Sequence, residues 1–151
     1  MRRTMLLATI GLTVIGLVAA GASAAGSAPG GRTLRFVQGA PQVAFVDLGE
    51  TGPSAGDVLV FRSELFDETN THAAGDLNIT CTQAIGPENI CRGIFSVTGR
   101  GQLSVDALPV FPQPAVGIVS GGNGDFQLSR GEVEIEPQSD GTTLLTFHLF
   151  P

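Results

Sequence analysis

The sequence predicts an all-β domain, either a barrel or a sandwich, and two observations lead to that prediction. Eight or nine short segments of the 151-residue chain alternate apolar and polar residues, with the period of two that a half-buried strand shows. Clusters of the turn-forming residues Gly, Pro, Asn, Asp and Ser separate these segments. Short strands at such regular spacing are typical of antiparallel barrels and sandwiches.

The N-terminus has the three parts of a secretory signal peptide. Residues 1–3 are basic after the initiator, residues 5–20 are almost wholly apolar, and the small residues at 22–24 fit the site that signal peptidase cuts. The apolar run of about 16 residues is shorter than the roughly 20 that a membrane-spanning helix needs. We therefore predict a signal peptide at 1–24 and a secreted protein that has no membrane contact after cleavage.

The rest of the chain is predicted to be a flexible arm at 25–31, rich in Gly, Ala, Ser and Pro, followed by one domain at 32–151. No window after the signal peptide has a convincing helical period. The segments with strand periodicity are, in order, 33–37, 43–48, 57–66, 77–84, 91–98, 102–110, 115–120, 131–136 and 142–149.

The longest of these segments, DVLVFRSELF at 57–66, carries apolar residues on both faces. Leu59, Phe61, Ser63 and Leu65 share one face, and valines occupy part of the other. A strand of this kind is covered on two sides, as a barrel wall is when its interior is filled and its exterior is partly packed.

The charge of the domain restricts its partners. After the signal peptide the chain keeps six arginines against fourteen acidic residues, has no lysine, and carries a formal charge of −8. Nucleic acid requires basic patches, so we expect no nucleic-acid partner, and the same charge argues against docking on anionic lipid. Solubility is the simplest explanation of the acidic surface.

The two cysteines, Cys81 and Cys91, are interpreted as one disulfide, because an even count is typical of exported proteins. Closing a loop of about ten residues would stabilise the fold by roughly 2–3 kcal/mol. We expect the two residues to face each other across a hairpin with its tip near Gly86 and Pro87. The alternative is a metal site, but these cysteines and the two histidines of the chain match no zinc spacing, so no metal is expected.

The glycine-rich segment VSGGNGDFQLSRGEVEIE at 119–136 has two interpretations. A phosphate-binding loop would need a following helix or a Gly-Lys-Ser/Thr ending, and neither is present. A corner between two strands needs only the positive φ angles that glycine adopts easily. We predict a corner, with Phe126 as its packing anchor.

From Gly56 to Leu149 the chain resembles the allene oxide cyclase barrel family and, more distantly, the plant dirigent proteins. The resemblance rests on Gly-Asp at 56–57, GQLSV at 101–105, the glycine-rich segment with its preceding isoleucine at 118–136, and LLTFHL at 144–149. It implies an eight-stranded antiparallel β-barrel with an apolar lumen, wide enough for one small ligand. It also implies a homo-oligomer, as in the plant relatives.

The resemblance further implies that the barrel binds an apolar small molecule and guides its cyclisation or isomerisation without a cofactor, by shape and by excluding water. Among the family's pocket residues, the proline after the first strand matches Pro41, the amide of the long strand falls on Ser63, and the cysteine falls on Cys81. The first-strand carboxylate has no counterpart, since residues 32–44 offer only Gln38 as a comparable polar side chain.

Candidates for lining a ligand pocket in the lumen are therefore six residues, and no catalytic residue is assigned. The alternative is that the same face forms an ordinary apolar core. Two functions stay open: a cyclase or isomerase, and a non-enzymatic extracellular ligand carrier or structural module. The six candidates are Phe36, Pro41, Leu59, Phe61, Ser63 and Leu65.

Overall fold

A computed structural model describes residues 31–150. The predicted signal peptide at 1–24 and most of the predicted arm at 25–31 lie outside the described residues. Within 31–150, no helix is long and apolar enough to cross a membrane. The elements are β1 (Arg32–Gln38), β2 (Gln42–Val46), β3 (Val58–Phe66), β4 (Ala73–Gln83), β5 (Asn89–Val97), β6 (Gly101–Ala107), β7 (Ala115–Gly122), a 3-10 helix (Gly124–Phe126), β8 (Arg130–Pro137) and β9 (Thr143–Phe150).

Eight of the strands close into an antiparallel barrel, which confirms the predicted fold class. Each of β3 to β8 pairs with the next strand along the chain, and β9 pairs with the whole length of β1. The barrel closes where β1 pairs with β3, through Val37 opposite Phe66 and Gln38 opposite Leu65. A closed barrel of this strand number has a lumen that side chains can fill or that can hold one small ligand.

The short strand β2 extends the wall of the barrel beyond its rim. It pairs with the first half of β3, from Val46 opposite Val58 to Gln42 opposite Arg62, whereas β1 pairs with the last two residues of β3. The chain passes from one pairing to the other through residues 39–41. All five residues of β2 are exposed, so this part of the wall is a lip on one end of the barrel, which we call the open end.

The alternating pattern of the strands divides their side chains between lumen and surface. In the packed half of the lumen, Phe147 makes edge-to-face contacts with Phe36 and Phe95, with ring centroids 6.0 Å and 5.1 Å away. Such aromatic pairs stabilise a core beyond the area that they bury. The buried apolar cluster consists of Phe36, Leu65, Leu77, Phe95, Val97, Leu103, Val105, Val119, Phe126, Val133, Leu145, Phe147 and Leu149.

The predicted corner after β7 is confirmed, and it seals one end of the barrel, which we call the closed end. Phe126 is completely buried there, and the guanidinium groups of Arg32 and Arg100 lie 5.0 Å and 5.3 Å from its ring centroid. Arg100 also pairs with Asp125, at 3.2 Å between Nε and Oδ2. The guanidinium groups of both arginines therefore stack on the phenyl ring, and that of Arg100 is also paired with an acid.

Two glycines of this corner are required by close approach of the backbone. A Cβ at Gly122 would lie 2.7 Å from Cβ of Phe126, and a Cβ at Gly124 would lie 2.5 Å from the carbonyl oxygen of Arg100. Gly124 also has a φ of +59°, where a residue with a side chain is strained. The glycines thus let the chain fold under the barrel and bring Phe126 into it.

The predicted disulfide is confirmed. Cys81 and Cys91 are directly opposite in the register of β4 and β5, with Cα atoms 4.0 Å apart, and their sulfur atoms are bonded. The hairpin loop at 84–88 contains the predicted tip. Since both thiols are used in this bond, neither is free to bind a metal.

Two predicted strand boundaries were wrong by three residues or more. β4 begins at Ala73, four residues before the predicted start. Gly75 pairs with both Leu65 and Val97 there, although glycine is a poor strand former and gives no strand pattern in the sequence. β6 ends at Ala107, before the predicted end at 110, because Pro109 follows and its carbonyl instead accepts the N–H of Asn89. Residues 108–114 form a loop over the open end.

Candidate functional site

The open end of the barrel contains a cavity of about 260 Å³. Its walls come from seven strands and its cover from the loop at 108–114. The lining residues are mostly aromatic, aliphatic or proline side chains, which fits the predicted apolar lumen. They are Gln38, Pro41, Phe61, Ile79, Cys91, Gly93, Phe95, Val105, Ala107, Pro109, Phe111, Pro112, Gln113, Ile135, Pro137, Gly141 and Thr143.

The register of the sheet brings one row of side chains to the cavity wall. Phe61 on β3 is opposite Ile79 on β4, which is opposite Gly93 on β5, which is opposite Val105 on β6. Because paired residues of neighbouring strands share a face, all four point into the lumen. A Cβ at Gly93 would lie 3.2 Å from Phe95 and 3.3 Å from Ile79, so a larger residue here would crowd these two side chains.

The loop at 108–114 covers part of the cavity. Phe111 packs its ring on Phe61, with centroids 5.7 Å apart, yet it stays 49% exposed. The loop is held at its base by the hydrogen bond from Asn89 N–H to the carbonyl of Pro109, at 3.0 Å, and by a turn in which Gln113 N–H donates to Val110 at 2.7 Å. A half-exposed aromatic ring therefore borders the opening.

Three polar side chains line the otherwise apolar cavity: Gln38, Gln113 and Thr143. The Nε2 of Gln38 donates a hydrogen bond to Oγ of Ser63 at 3.0 Å, and Ser63 is itself buried. None of the lining residues has an ionisable side chain, since Cys91 is in the disulfide. The site can thus offer neutral hydrogen bonds but no charge.

The most deeply buried carboxylate of the described residues has a structural role outside the cavity. Asp57 accepts hydrogen bonds from the backbone N–H groups of Leu48, at 2.8 Å, and Ser54, at 2.6 Å. These two bonds lower the pKa of its carboxyl below the ordinary value of 3.8. Asp57 therefore ties the long loop between β2 and β3 to the barrel.

The structure places the six predicted lumen residues in different environments. Pro41 and Phe61 line the cavity, whereas Ser63 does not line it but accepts a hydrogen bond from Gln38, which does. Phe36 and Leu65 are buried in the packed half of the lumen. Leu59 is half-buried and is not among the lining residues. That any of the six contacts a ligand stays a prediction.

Several lining residues were not predicted. Phe111 and Gln113 lie in a segment, FPQP, that the sequence marks only as a turn. Ala107, Ile135 and Thr143 lie on predicted strands, but the sequence did not indicate which residues of these strands reach the open end of the barrel. An aromatic residue between two prolines was the one available signal that this loop covers something.

The described part of the chain contains no set of side chains that could form a metal site. Residues 31–150 contain no group of three or more His, Cys, Asp or Glu side chains close enough to hold one ion. His72 and Asp67 do form a close pair, with 2.9 Å between Nδ1 and Oδ2, in the exposed loop before β4.

Comparisons with known proteins find the fold but no sequence relative. No protein-family profile and no curated protein sequence matches the chain. A solved pyocyanin demethylase has a TM-score of 0.70 and 21% identity, over 79% of this chain and 100% of that chain. The pterocarpan synthase dirigent protein PsPTS1 has a TM-score of 0.58 and 14% identity, over 79% and 92% of the two chains.

A third similar structure is a nonspecific heme-binding cyclase that catalyses a 4 + 2 cycloaddition during neoabyssomicin biosynthesis. Its TM-score is 0.57 at 13% identity, over 80% of this chain and 68% of that chain. Identities this low establish a shared fold. They confirm the predicted β-barrel fold, which a dirigent protein and a cyclase share.

Proposed function

We propose that this protein is an exported barrel that binds a small apolar molecule in the open-end cavity and orients it for ring closure. The observation that supports this most directly is the cavity of about 260 Å³, which is lined mostly by apolar side chains. An engineered apolar cavity of about 150 Å³ holds benzene, and typical ligand pockets start at roughly 300 Å³. The cavity therefore suits a molecule of about two fused rings.

The chemistry that such a site supports is ring closure by confinement. General acid–base catalysis needs an ionisable group within hydrogen-bond reach of the reacting atoms, and the lining residues supply none. Holding a flexible molecule in a reactive conformation and excluding water needs only shape. Proteins of this fold that are named as a cyclase and as a dirigent synthase support the proposal.

The proposal includes no cofactor. A heme iron takes its axial ligand from His, Cys, Met or Tyr, and among the lining residues only Cys91 is of these types and its sulfur is in the disulfide. Bound heme would give a strong absorbance band near the ultraviolet edge of the visible spectrum. Protein isolated from its host with that band at stoichiometric intensity would contradict this part of the proposal.

Export is the second part of the proposal. Disulfides form and persist in oxidising compartments, and the Cys81–Cys91 bond fits such a compartment. We expect secreted protein whose N-terminal sequence begins near Ala25. Uncleaved protein that stays in the cytoplasm would contradict it.

A cavity-filling variant tests ligand binding. Ala107→Phe places a ring inside the cavity, because Ala107 is part of its wall, and it should weaken the binding of 2-naphthol at least tenfold. The control is Val116→Phe, which adds the same ring on the outer surface of β7, where Val116 is 59% exposed. Binding that is equally weakened, or equally unchanged, in both variants would place the ligand elsewhere.

A non-enzymatic carrier is the second candidate, and the lack of ionisable lining residues favours it over an isomerase that moves protons. Native mass spectrometry of protein isolated from its host should show a co-purifying apolar molecule in either case. Incubation with linear polyenes and epoxy fatty acids separates the two. Formation of a ring product supports the cyclase, and binding without turnover supports the carrier.

A further inference from the structure

We propose that the cavity selects an uncharged ligand that carries an N–H or O–H group, and that the side-chain carbonyl of Gln38 accepts this hydrogen. The inference rests on the proposed function, that the cavity binds a small apolar molecule. It adds the polar requirement that this molecule must meet. Gln38 is the specificity-determining residue and Ser63 is its positioning residue.

The exclusion of charged ligands follows from the lining. None of the lining side chains is ionisable, so an ionised ligand group would lose its hydration and gain no counter-charge. Burying an unpaired charge is far more costly than burying a neutral polar group that keeps one hydrogen bond. Carboxylates and ammonium groups are therefore rejected, and neutral hydroxyl or N–H groups are tolerated where a partner exists.

The orientation of the Gln38 amide supplies that partner. Gln38 is opposite Leu65 in the register of β1 and β3, and its side chain reaches the diagonal neighbour Ser63 two residues away. Its Nε2 donates to Ser63 Oγ at 3.0 Å. The nitrogen end of the amide is thus held by a side chain that is only 4% exposed.

The carbonyl oxygen of Gln38 is the acceptor that this arrangement leaves available. No described residue donates a hydrogen bond to its Oε1, although Gln38 lines the cavity. An amide oxygen that is covered by an apolar ligand without a donor loses its water and gains nothing, which disfavours a purely apolar ligand. A ligand N–H or O–H group placed there donates a hydrogen bond to this oxygen, so that both groups have a partner.

Thr143 completes the polar corner. It is directly opposite Gln38 in the register of β9 and β1, and it also lines the cavity. Opposed side chains in an antiparallel pair are about 5 Å apart at Cβ, so one ligand atom can reach both. The threonine hydroxyl can donate as well as accept, and a ligand hydroxyl between the two residues would therefore bond to both.

The test uses four probes that share a naphthalene ring: naphthalene, 2-naphthol, 2-methoxynaphthalene and 2-naphthoate. The chain has no Trp and no Tyr, so the fluorescence of each probe can be read without overlap from the protein. We expect 2-naphthol to bind about three- to tenfold more tightly than naphthalene or 2-methoxynaphthalene, as one net hydrogen bond gives. 2-Naphthoate should not bind measurably at neutral pH.

Two variants then assign the preference to residues. Gln38→Leu should remove most of the advantage of 2-naphthol over naphthalene, because the acceptor is lost, and it should tighten naphthalene binding, because no amide oxygen then loses its water to an apolar ligand. Ser63→Ala should reduce the advantage of 2-naphthol over 2-methoxynaphthalene, because the amide is no longer held by its nitrogen. The matched control is Gln42→Leu on exposed β2, which should change neither ratio.

The outcomes separate the two proposals. Equal binding of naphthalene and 2-naphthol by the unmodified protein, or tight binding of 2-naphthoate, overturns the polar requirement and leaves the apolar cavity function standing. A 2-naphthol preference that stays undiminished in Gln38→Leu overturns the role of Gln38. Failure of all four probes to bind overturns the proposed function together with this inference. The first of these tests compares the four probes on the unmodified protein, so it does not depend on whether a variant folds.

Discussion

Cys81 and Cys91 face each other directly across β4 and β5, with Cα atoms 4.0 Å apart, and Cys91 is part of the cavity wall. The disulfide therefore does two things at once. It fixes the hairpin that rises to the open end, and it forms part of the wall that a ligand would touch. Stability and ligand affinity should both respond to its removal.

The double variant Cys81→Ser with Cys91→Ser should lower the free energy of unfolding by roughly 2–3 kcal/mol, because a closed loop of about ten residues restricts the unfolded chain by that amount. Urea denaturation measures the change. A reductant should shift the midpoint of the unmodified protein in the same direction and leave the double variant unaffected. An unchanged midpoint in the double variant would contradict the stabilising role of the bond.

Phe126→Ala should be among the most destabilising single substitutions in the chain. The ring is completely buried at the closed end and supports the stacked guanidinium groups of Arg32 and Arg100. Truncation of a buried phenylalanine costs about 3–5 kcal/mol. Leu128→Ala, two residues away and 77% exposed, should change stability by no more than about 0.5 kcal/mol. Equal effects in thermal unfolding would show that the ring does not anchor this end.

Gly117 and Gly121 on β7 provide a matched pair for core packing. A Cβ at Gly117 would lie 2.8 Å from Val105 and 3.0 Å from Val133, whereas a Cβ at Gly121 would meet nothing within 4 Å. Gly117→Ala should therefore destabilise the barrel by about 1–3 kcal/mol, as overpacking does. Gly121→Ala should be neutral or slightly stabilising. The reverse order in denaturation midpoints would contradict the packing described for the lumen.

Acid should destabilise the fold below about pH 4, and Asp57 should contribute to this loss. Backbone hydrogen bonds from Leu48 and Ser54 hold the pKa of its carboxyl below 3.8 in the folded protein. A lowered folded pKa means that the stabilisation is complete well above the unfolded value and is lost as pH falls through that value towards the folded pKa. Melting temperatures measured from pH 7 down to pH 2 give the profile.

The variant Asp57→Asn isolates this contribution. Its amide has one acceptor oxygen for two donors, so the variant should melt lower than the unmodified protein at pH 7, and its melting temperature should fall less between pH 5 and pH 2. Asp76→Asn, at the surface 3.6 Å from Arg62, serves as the control and should keep the acid-dependent slope. A slope in Asp57→Asn as steep as in the unmodified protein would assign the acid loss to other carboxyls.

Much of the fold could be predicted because strands reveal their inner face locally. The alternation that places Phe61, Ser63 and Leu65 together is visible in ten residues, and the disulfide follows once two neighbouring strands are assigned. The Gln38–Ser63 hydrogen bond could not be predicted in this way, since it depends on the register at which β1 meets β3 to close the barrel. A shift of one residue would turn either side chain out of the lumen.

The cover of the cavity was missed for a related reason. Phe111 and Gln113 belong to a proline-rich loop whose local sequence indicates a turn and nothing about direction. The place of this loop over the lumen is set by the contact of Phe111 with Phe61 and by the hydrogen bond from Asn89 to Pro109, and both Phe61 and Asn89 are far away in sequence. Loop positions of this kind depend on the tertiary structure more than on residue preference.

The closure at Phe126 also determines how a ligand enters and leaves the barrel. In residues 31–150 the closed end is filled by its ring and by the core above it, so a guest that enters past Phe111 must leave by the same route. A bound ligand must therefore leave the cavity before a second one can enter. Uptake and release are then both controlled by the same opening, which the loop at 108–114 borders.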